Sequence, residues 1–126
     1  MRVLIDTSVW VDHFRTGNDA LANLIERDLA LTHPLVVGEI ACGTLPAPHV
    51  QTLASIGLLQ PCKQANLSEV MEFIEREKLY GLGCGLVDMS LLASTLITPG
   101  AELWTLDKRL TDLAGRFGIA HRPTLH

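Results

Sequence analysis

The sequence predicts an α/β fold, a three-layer α/β/α sandwich on a parallel sheet of four to five strands. Short apolar runs such as Val3–Ile5 alternate with longer segments whose apolar residues have helical spacing. Strands that alternate with helices form parallel sheets with both faces covered. The chain has 126 residues, of which 48% are hydrophobic, so we expect one domain over residues 1–126.

The predicted strands are short runs of apolar residues bounded by polar or turn-forming residues. Five segments fit this description: Val3–Ile5, Leu29–Thr32, Leu58–Leu59, Leu103–Leu106 and Ile119–His121. The first is apolar throughout and rich in β-branched side chains, so we expect it to be a buried strand.

The helices of the first half are predicted from turn residues and apolar spacing. Asp6–Ser8 has N-cap chemistry and begins a helix that runs through Phe14. A second helix covers Ala20–Arg27. Pro34 fits the first position of a third helix, which ends near Gly43.

Two prolines make Leu45–Pro48 a rigid break, after which a weak helix is expected to about Ile56. Asn66 and Glu69 have the spacing of a capping box and begin the next helix. Its inward-facing residues share apolar character and helical spacing: Val70, Phe73, Ile74 and Leu79. On its outer face, the spacing of Glu72 and Arg76 predicts an ion pair.

The second half centres on a helix over Leu86–Ile97, which follows the glycine-rich Gly81–Gly85 loop. This helix is hydrophobic nearly all round, so we expect it to be central and buried. Pro99-Gly100 ends it, and a last helix covers Asp107–Phe117.

The composition argues against several classes of protein. The net charge is −4, from 14 acidic and 10 basic residues, and no basic stripe of the kind that binds nucleic acid is present. A nuclease whose metal site supplies positive charge remains compatible with this composition. Cys42, Cys62 and Cys84 lack CxxC spacing, so we expect them to be reduced and buried in a cytoplasmic protein. Neither a signal peptide nor a membrane span is expected.

Two long stretches of the chain carry a single formal charge, and each time it is a carboxylate. Glu39 is the only one in residues 29–62, and Asp88 is the only one in residues 79–101. An unpaired ion on a largely buried segment is costly, because it loses its hydration. The pattern therefore indicates that a basic side chain or a metal ion lies opposite each carboxylate.

Two further carboxylates, Asp6 and Asp107, each follow a strand-like run and so lie at the carboxyl edge of the predicted sheet. Asp88, in the first turn of its helix, faces the same edge. Glu39, one to two turns into its helix, is expected to point inward. Four neighbouring carboxylates repel one another unless a cation binds them, and oxygen ligands favour Mg²⁺ or Mn²⁺ over zinc. The sequence therefore predicts a metal site at this edge.

A phosphodiester suits such a site, because it brings anionic oxygens of its own. A bound metal ion polarises the phosphoryl oxygen and lowers the pKa of a bound water. Asp6 and Asp88 are the preferred ligands, while Glu39 and Asp107 position water or a second ion. Ser8 is expected to add a hydroxyl ligand or a hydrogen bond to water.

Each carboxylate alone also has an ordinary structural interpretation. Asp6 and Asp107 can serve only as N-caps, Asp88 can interact with its helix dipole, and Glu39 can pair with an arginine. These interpretations stay open residue by residue. The single-charge surroundings of Glu39 and Asp88 favour the joint interpretation as one site.

Four segments together carry a family resemblance: Leu4–Trp10, Glu39-x-x-x-Gly43, the glycine-rich lead into Val87-Asp88 with Leu91-Leu92-Ala93, and Thr105-x-Asp107-x-x-Leu110. In this order, over residues 3 to about 119, they resemble PIN-domain ribonucleases, in particular the VapC-type toxins of bacterial toxin–antitoxin modules. None of the four segments alone is specific, whereas their agreement is.

The resemblance implies a compact α/β/α sandwich that cuts single-stranded or loop RNA with Mg²⁺ or Mn²⁺. Asp6, Glu39, Asp88 and Asp107 match the acidic quartet of the family, and Thr105 is an auxiliary residue of the same motif. The resemblance also implies a homodimer and a cognate antitoxin whose C-terminal segment lies along the active-site groove. Family members often carry basic residues in the segment that corresponds to 43–62, which here has no Lys or Arg.

Lys108 and Arg109, beside Asp107, are candidates for binding RNA phosphate, although residues at an exposed helix start more often only face solvent. A metal-binding but inactive interaction module is the alternative function, and the apolar stretch Leu45–Leu59 supports it. A phosphatase with an aspartyl nucleophile is disfavoured, because Ser8 stands where a second acid is usual. The glycine-rich loop lacks the Lys of a nucleotide-binding P-loop.

Overall fold

A computed structural model describes residues 1–44, 46 and 48–123. Within these residues the chain forms four strands and seven helices. The strands are β1 (Arg2–Ile5), β2 (Ala30–Thr32), β3 (Gln60–Pro61) and β4 (Ala101–Trp104). The helices are α1 (Thr7–Thr16), α2 (Asp19–Glu26), α3 (Pro34–Cys42), α4 (His49–Gly57), α5 (Leu67–Glu77), α6 (Leu86–Ile97) and α7 (Lys108–Arg116).

The four strands make one parallel sheet in the order β3-β2-β1-β4. The chain adds β2 and β3 on one side of β1 and then returns to add β4 on the other side. Right-handed connections between parallel strands then place α1–α4 on one face of the sheet and α5–α7 on the other. Phe73 of α5 accordingly contacts Phe117, which directly follows α7. The predicted three-layer α/β/α sandwich is confirmed.

The core is centred on β1 and α6. Val3, Leu4 and Ile5 are fully buried between the two helical layers. Every residue of α6 from Met89 to Thr95 is buried, as expected for a helix that is apolar nearly all round. The bounds of this helix are those predicted from its sequence.

The predicted helix starts are confirmed where a side chain caps the backbone. In the capping box, Glu69 N–H donates to Asn66 Oδ1 at 2.8 Å, and Asn66 N–H donates to Glu69 Oε1 at 3.0 Å. Asp6 and Asp107 are the N-caps of α1 and α7. The local hydrogen bonds thus fix where these helices begin.

The first two predicted strands match β1 and β2 to within one residue, and the other three differ more. Leu58–Leu59 is not a strand, because Leu58 caps the end of α4 and is 86% exposed, and pairing with β2 begins only at Gln60. β4 runs from Ala101 to Trp104 rather than from Leu103 to Leu106. The predicted strand Ile119–His121 is reduced to one parallel bridge to β4.

Other side-chain predictions are also corrected. Arg76 pairs with its neighbour Glu77 at 3.3 Å, and not with Glu72 on the next turn. Of the three free cysteines, Cys62 is buried, whereas Cys84 is half-buried and Cys42 is exposed.

Two residues of the predicted rigid break, Leu45 and Ala47, lie outside the described residues. Across the rest of that segment Pro46 and Pro48 are exposed, and Pro48 is the N-cap of α4. In the part of the chain that the structure covers, no helix is long and apolar enough to cross a membrane.

A buried histidine directly after β2 connects the start of α3, the middle of α6 and the segment before α5. His33 is only 4% exposed, and its Nδ1 accepts a hydrogen bond from Leu35 N–H at 3.0 Å, which caps α3. Its Nε2 lies 3.3 Å from Ser94 Oγ on α6, and the same hydroxyl oxygen accepts from Ala65 N–H at 3.1 Å. An accepting Nδ1 requires the neutral ring with its proton on Nε2. Burial lowers the pKa of His33 below its usual 6.5.

We therefore predict a loss of stability in mild acid that depends on His33. Below about pH 6.5 the unfolded chain takes up a proton that the folded protein excludes, so the free energy of unfolding falls as the pH falls. His33→Asn keeps a capping oxygen but does not titrate, and its free energy of unfolding should fall less steeply over this range. Urea unfolding between pH 7.5 and about 5 measures the slopes. The matched control is His49→Asn at an exposed position, and equal slopes for His33→Asn and wild type would refute the prediction.

Candidate active site

The candidate site lies where the strand order reverses, at the carboxyl ends of β1 and β4. Ligand sites of open α/β sheets occur at this switch point. Asp6 directly follows β1, and Asp107 lies three residues after the end of β4. Asp88, in the first turn of α6, faces the same edge, because a connecting helix runs antiparallel to the strands that it joins. The sheet topology thus gathers residues that are far apart in sequence.

Asp6 is a buried carboxylate whose hydrogen bonds involve one of its two oxygens. The residue is 7% exposed. Its Oδ2 accepts from Ser8 Oγ at 2.6 Å, from Thr105 Oγ1 at 2.8 Å and from Ser8 N–H at 3.3 Å. Within the described chain, no protein donor bonds to Oδ1 and no basic side chain pairs with the carboxylate. Three donors therefore compensate for its burial in place of a cation.

The two hydroxyls that bind Asp6 also hold the turn after β4. Ser8 Oγ accepts from Leu106 N–H at 3.0 Å, and Thr105 Oγ1 accepts from Asp107 N–H at 3.1 Å. Each hydroxyl thus donates to Asp6 and accepts from this turn. Ser8 and Thr105, which were predicted as auxiliary residues, therefore fix the position of Asp107 relative to Asp6.

Asp107 is exposed, and one of its carboxylate oxygens already caps a helix. Its Oδ1 accepts from Leu110 N–H at 2.9 Å, and the residue is the N-cap of α7. The ordinary interpretation of this residue as a cap is therefore confirmed. The same carboxylate also acts electrostatically on its neighbours, as Asp88 shows.

Glu39 is exposed, which corrects the prediction that it points inward. The buried stripe of α3 consists of Val36 and Ile40, and Glu39 lies to one side of it. Its Oε1 accepts from Thr7 Oγ1 at 2.6 Å, so α1 holds it at the same edge of the sheet. The role of Thr7 was missed from the sequence, although its place directly after Asp6 put its hydroxyl at this edge.

Asp88 shows that the four carboxylates share one electrostatic environment. Its Oδ2 accepts from Gly85 N–H at 3.2 Å, which lowers the pKa of this carboxyl. Desolvation is the largest influence and raises the pKa above its usual 3.8. The negative charges of Asp6, Asp107 and Glu39 raise it further. The other three carboxylates therefore act on the charge of Asp88, while the gathering of all four around one ion stays a prediction.

The spacing of these side chains limits how they can hold an ion. Within residues 1–44, 46 and 48–123, no group of three or more His, Cys, Asp or Glu side chains is arranged to hold a metal ion. Mg²⁺ is usually bound through one or two carboxylates, keeps several waters and contacts the phosphates of its substrate. None of the four carboxylates forms an ion pair with a described Lys or Arg. The set therefore fits a hydrated divalent cation better than a closed cage of protein ligands.

The two basic residues beside Asp107 differ in their contacts. Arg109 lies over the glycine-rich loop, and its Nη1 donates to Gly83 O at 3.5 Å. Gly83 has φ +83°, a conformation that favours glycine, and a Cβ there would lie 2.6 Å from Nη1, so the end of the Arg109 side chain would have to shift. Arg109 thus connects the start of α7 to the loop before Asp88. Lys108 is exposed.

Cys84 lies next to the site, in the loop that Arg109 covers. Burial raises the pKa of its thiol, the charges of Asp88 and Asp107 raise it further, and Arg109 opposes them. These influences keep the thiol protonated, so they do not favour a nucleophilic cysteine.

Comparison with known proteins agrees with this architecture. The PIN domain family matches residues 3–116. The chain therefore belongs to the PIN-domain family, which confirms the resemblance inferred from its motifs. Within this family it is 38% identical over 118 residues to Ribonuclease VapC32 from two strains of Mycobacterium tuberculosis, CDC 1551 and H37Rv. The matched region covers 94% of this chain and 94% of each relative.

Removing the hydroxyl of Thr105 should destabilise the protein. We predict that Thr105→Val lowers the free energy of unfolding by about 1.5–3 kcal/mol, because Asp6 loses a hydrogen bond to a charged acceptor. Thr105→Ser keeps the hydroxyl and should lose clearly less. Urea unfolding at neutral pH without divalent ions measures both variants. A Val variant as stable as the Ser variant would contradict the role given to this hydroxyl.

Because these carboxylates interact electrostatically, we predict that neutralising one of them changes the pKa of another. In protein free of divalent ions, Asp107→Asn should lower the pKa of Asp88, because it removes one of the negative charges that raise it. NMR titration of the Asp88 carboxyl carbon measures this shift. The control is Asp112→Asn on the exposed side of α7, which should leave the titration unchanged. The interpretation fails if both variants shift Asp88 equally.

Proposed function

We propose that the chain is a Mg²⁺-dependent endoribonuclease that hydrolyses RNA phosphodiester bonds, with Mn²⁺ as a possible substitute. The observation that carries the proposal is the placement of Asp6, Asp88 and Asp107 at the carboxyl edge of the sheet, where no described Lys or Arg pairs with their carboxylates. Neighbouring carboxylates that have no basic partner attract a divalent cation. The family match and the similarity to a protein named as a ribonuclease support the same conclusion.

In this proposal Asp6 and Asp88 would hold the ion, and Glu39 and Asp107 would complete the pocket. The ion, when bound, would supply Lewis-acid polarisation of the phosphoryl oxygen and a lower pKa for bound water. Ser8 and Thr105 fix Asp6 through Oδ2, which leaves Oδ1 as the oxygen available for a cation.

Glu39 suits the task of positioning the attacking water. Thr7 occupies its Oε1, so Oε2 is available to accept a hydrogen bond from water. Water attacks phosphorus in line with the leaving oxygen, and the bond to that oxygen breaks. The exposure of Glu39 and Asp107 gives a strand of RNA access to this edge of the sheet.

We further propose that the chain is the toxin of a toxin–antitoxin pair, bound by a cognate antitoxin along its active-site groove, and that it forms homodimers. The likeness to Ribonuclease VapC32 and the motifs shared with VapC-type toxins support these partners. The segment between α3 and β3 is a candidate partner surface, because it lacks Lys and Arg.

An inactive interaction module is the second candidate function. The described part of residues 45–59 exposes two large hydrophobic side chains, Val50 at 77% and Leu58 at 86%. Such exposure suits a protein contact. In this alternative the carboxylates bind a metal ion without hydrolysing RNA.

We predict that Asp6→Asn abolishes cleavage of a loop-containing RNA in Mg²⁺. The rate should fall by about a hundredfold or more, since losing one electrostatic contact to the reacting centre commonly costs this much. Asn keeps an oxygen to cap α1, so the fold should persist, which circular dichroism checks. Asp112→Asn is the matched control and should cut at the wild-type rate.

Chelation with EDTA should stop the wild-type protein, and Mn²⁺ should restore its activity. Equal cutting by wild type and Asp6→Asn would defeat the assignment. Calorimetric binding of Mn²⁺ by wild type without hydrolysis of any RNA tested would favour the inactive module instead.

A further inference from the structure

A cleft between α1 and α3 leads from the candidate active site to a basic residue. It has a volume of about 550 Å³, and its lining includes the hydrogen-bonded pair Thr7 and Glu39 as well as Arg15. Arg15 follows Thr7 by eight residues on α1, which corresponds to about 12 Å along the helix axis. The cleft therefore contains both this residue and Glu39, one of the four carboxylates.

One face of α1 forms a wall of this cleft. Thr7, Val11, Phe14 and Arg15 follow one another at helical spacing, and all four line the cleft. Ile40 of α3 lines it as well. Apolar side chains from both helices thus form part of its walls.

The cleft has one charged lining residue on each of its two helices. Among its described lining residues, Glu39 and Arg15 are the ones that carry a formal charge. Arg15 is exposed and has neither an ion pair nor a side-chain hydrogen bond to the described residues. It lies in the last turn of α1, where a cation also interacts with the helix dipole. The dipole accounts for a basic residue at this turn, but not for its place in a cleft that begins at the carboxylates.

Phe14 adds an aromatic surface to the same wall. Its ring stacks on that of Trp10, with centroids 6.0 Å apart and planes inclined by 29°. Trp10 is buried, so it holds the half-buried Phe14 ring in place. A fixed aromatic ring beside a basic side chain is the combination that binds single-stranded nucleic acid, because bases stack on the ring and phosphates pair with the cation.

We propose that this cleft binds the RNA strand beside the scissile bond, and that Arg15 pairs with a backbone phosphate a few nucleotides from the carboxylates. The inference rests on the proposed ribonuclease function and adds a substrate-binding residue to it. Guanidinium matches the geometry of phosphate oxygens. A polyanion that approaches four carboxylates needs such a contact, because the site itself repels it until a cation is bound.

The test measures binding in a protein that does not cut. A fluorescent single-stranded oligoribonucleotide is titrated with Asp6→Asn protein in Mg²⁺, with and without Arg15→Gln, and fluorescence anisotropy gives the Kd at several salt concentrations. Arg15→Gln should weaken binding about tenfold at low salt, since a hydrogen bond to a charged group is lost. The slope of log K against log salt should become shallower by about 0.7, the value for one phosphate contact on a single strand.

The matched control is Arg116→Gln. Arg116 is likewise exposed in the last turn of its helix, but α7 lies on the opposite face of the sheet. This variant should leave both the Kd and the slope unchanged. Arg15→Lys keeps the charge and should keep the slope, while its affinity falls by less than that of Arg15→Gln. In an otherwise wild-type protein, Arg15→Gln should raise KM for cleavage and change kcat little.

Three results would overturn the inference: a salt slope that Arg15→Gln does not change, an equal change with Arg116→Gln, or no RNA binding at all. A dependence on Arg15 for binding a partner peptide, but not for binding RNA, would overturn it as well. Failure of the proposed function is a separate result, in which wild-type protein with Mg²⁺ leaves the RNA uncut. If the wild-type protein leaves the RNA uncut while RNA binding still depends on Arg15, the binding role of Arg15 stands and the nuclease activity is rejected.

Discussion

The hydrogen bonds to Asp6 Oδ2 are the interaction on which the rest of this structure depends. A carboxylate at the end of a central strand is buried without a basic partner among the described residues, and two hydroxyls and a backbone N–H stabilise it instead. Those hydroxyls come from the first turn of α1 and from the turn after β4. The same contacts that make the burial of Asp6 tolerable therefore join the two central strands at their carboxyl ends.

Sheet topology explains why the acidic residues meet at this point. The order β3-β2-β1-β4 reverses beside β1, so the chain leaves two neighbouring strands in opposite directions and opens the edge between them. The proximity of these acidic residues costs free energy at Asp88, since burial and the neighbouring negative charges disfavour its ionised form. A cation that binds only the folded state would remove this cost and add stability by mass action. In the metal-dependent function proposed here, the raised pKa of Asp88 and the attraction of a cation share one electrostatic cause.

The sequence predicted those features that depend on local chemistry. The capping box at Asn66 and the bounds of α6 follow from short-range hydrogen bonds and from uniform hydrophobicity, and both are confirmed. The strand β3 could not be placed, because a two-residue edge strand is chosen by its register with β2 and not by its own residues. The exposure of Glu39 was missed for a related reason, since which face of α3 is buried depends on the elements packed against it. Its contact with Thr7 crosses 32 residues of sequence, and no local pattern reveals it.

The distribution of charge also decides how a polyanion could approach. Without Asp6, Glu39, Asp88 and Asp107, the chain would have ten acidic and ten basic residues, so the excess negative charge is concentrated in one site. Arg109, one of the nearby basic residues, donates a hydrogen bond to Gly83 in the loop that precedes Asp88. An RNA backbone that reaches the site therefore requires a cation at the carboxylates and a basic side chain that does not contact them. The α1–α3 cleft meets the second requirement, since it starts at Glu39 and contains a guanidinium that the described residues leave unpaired.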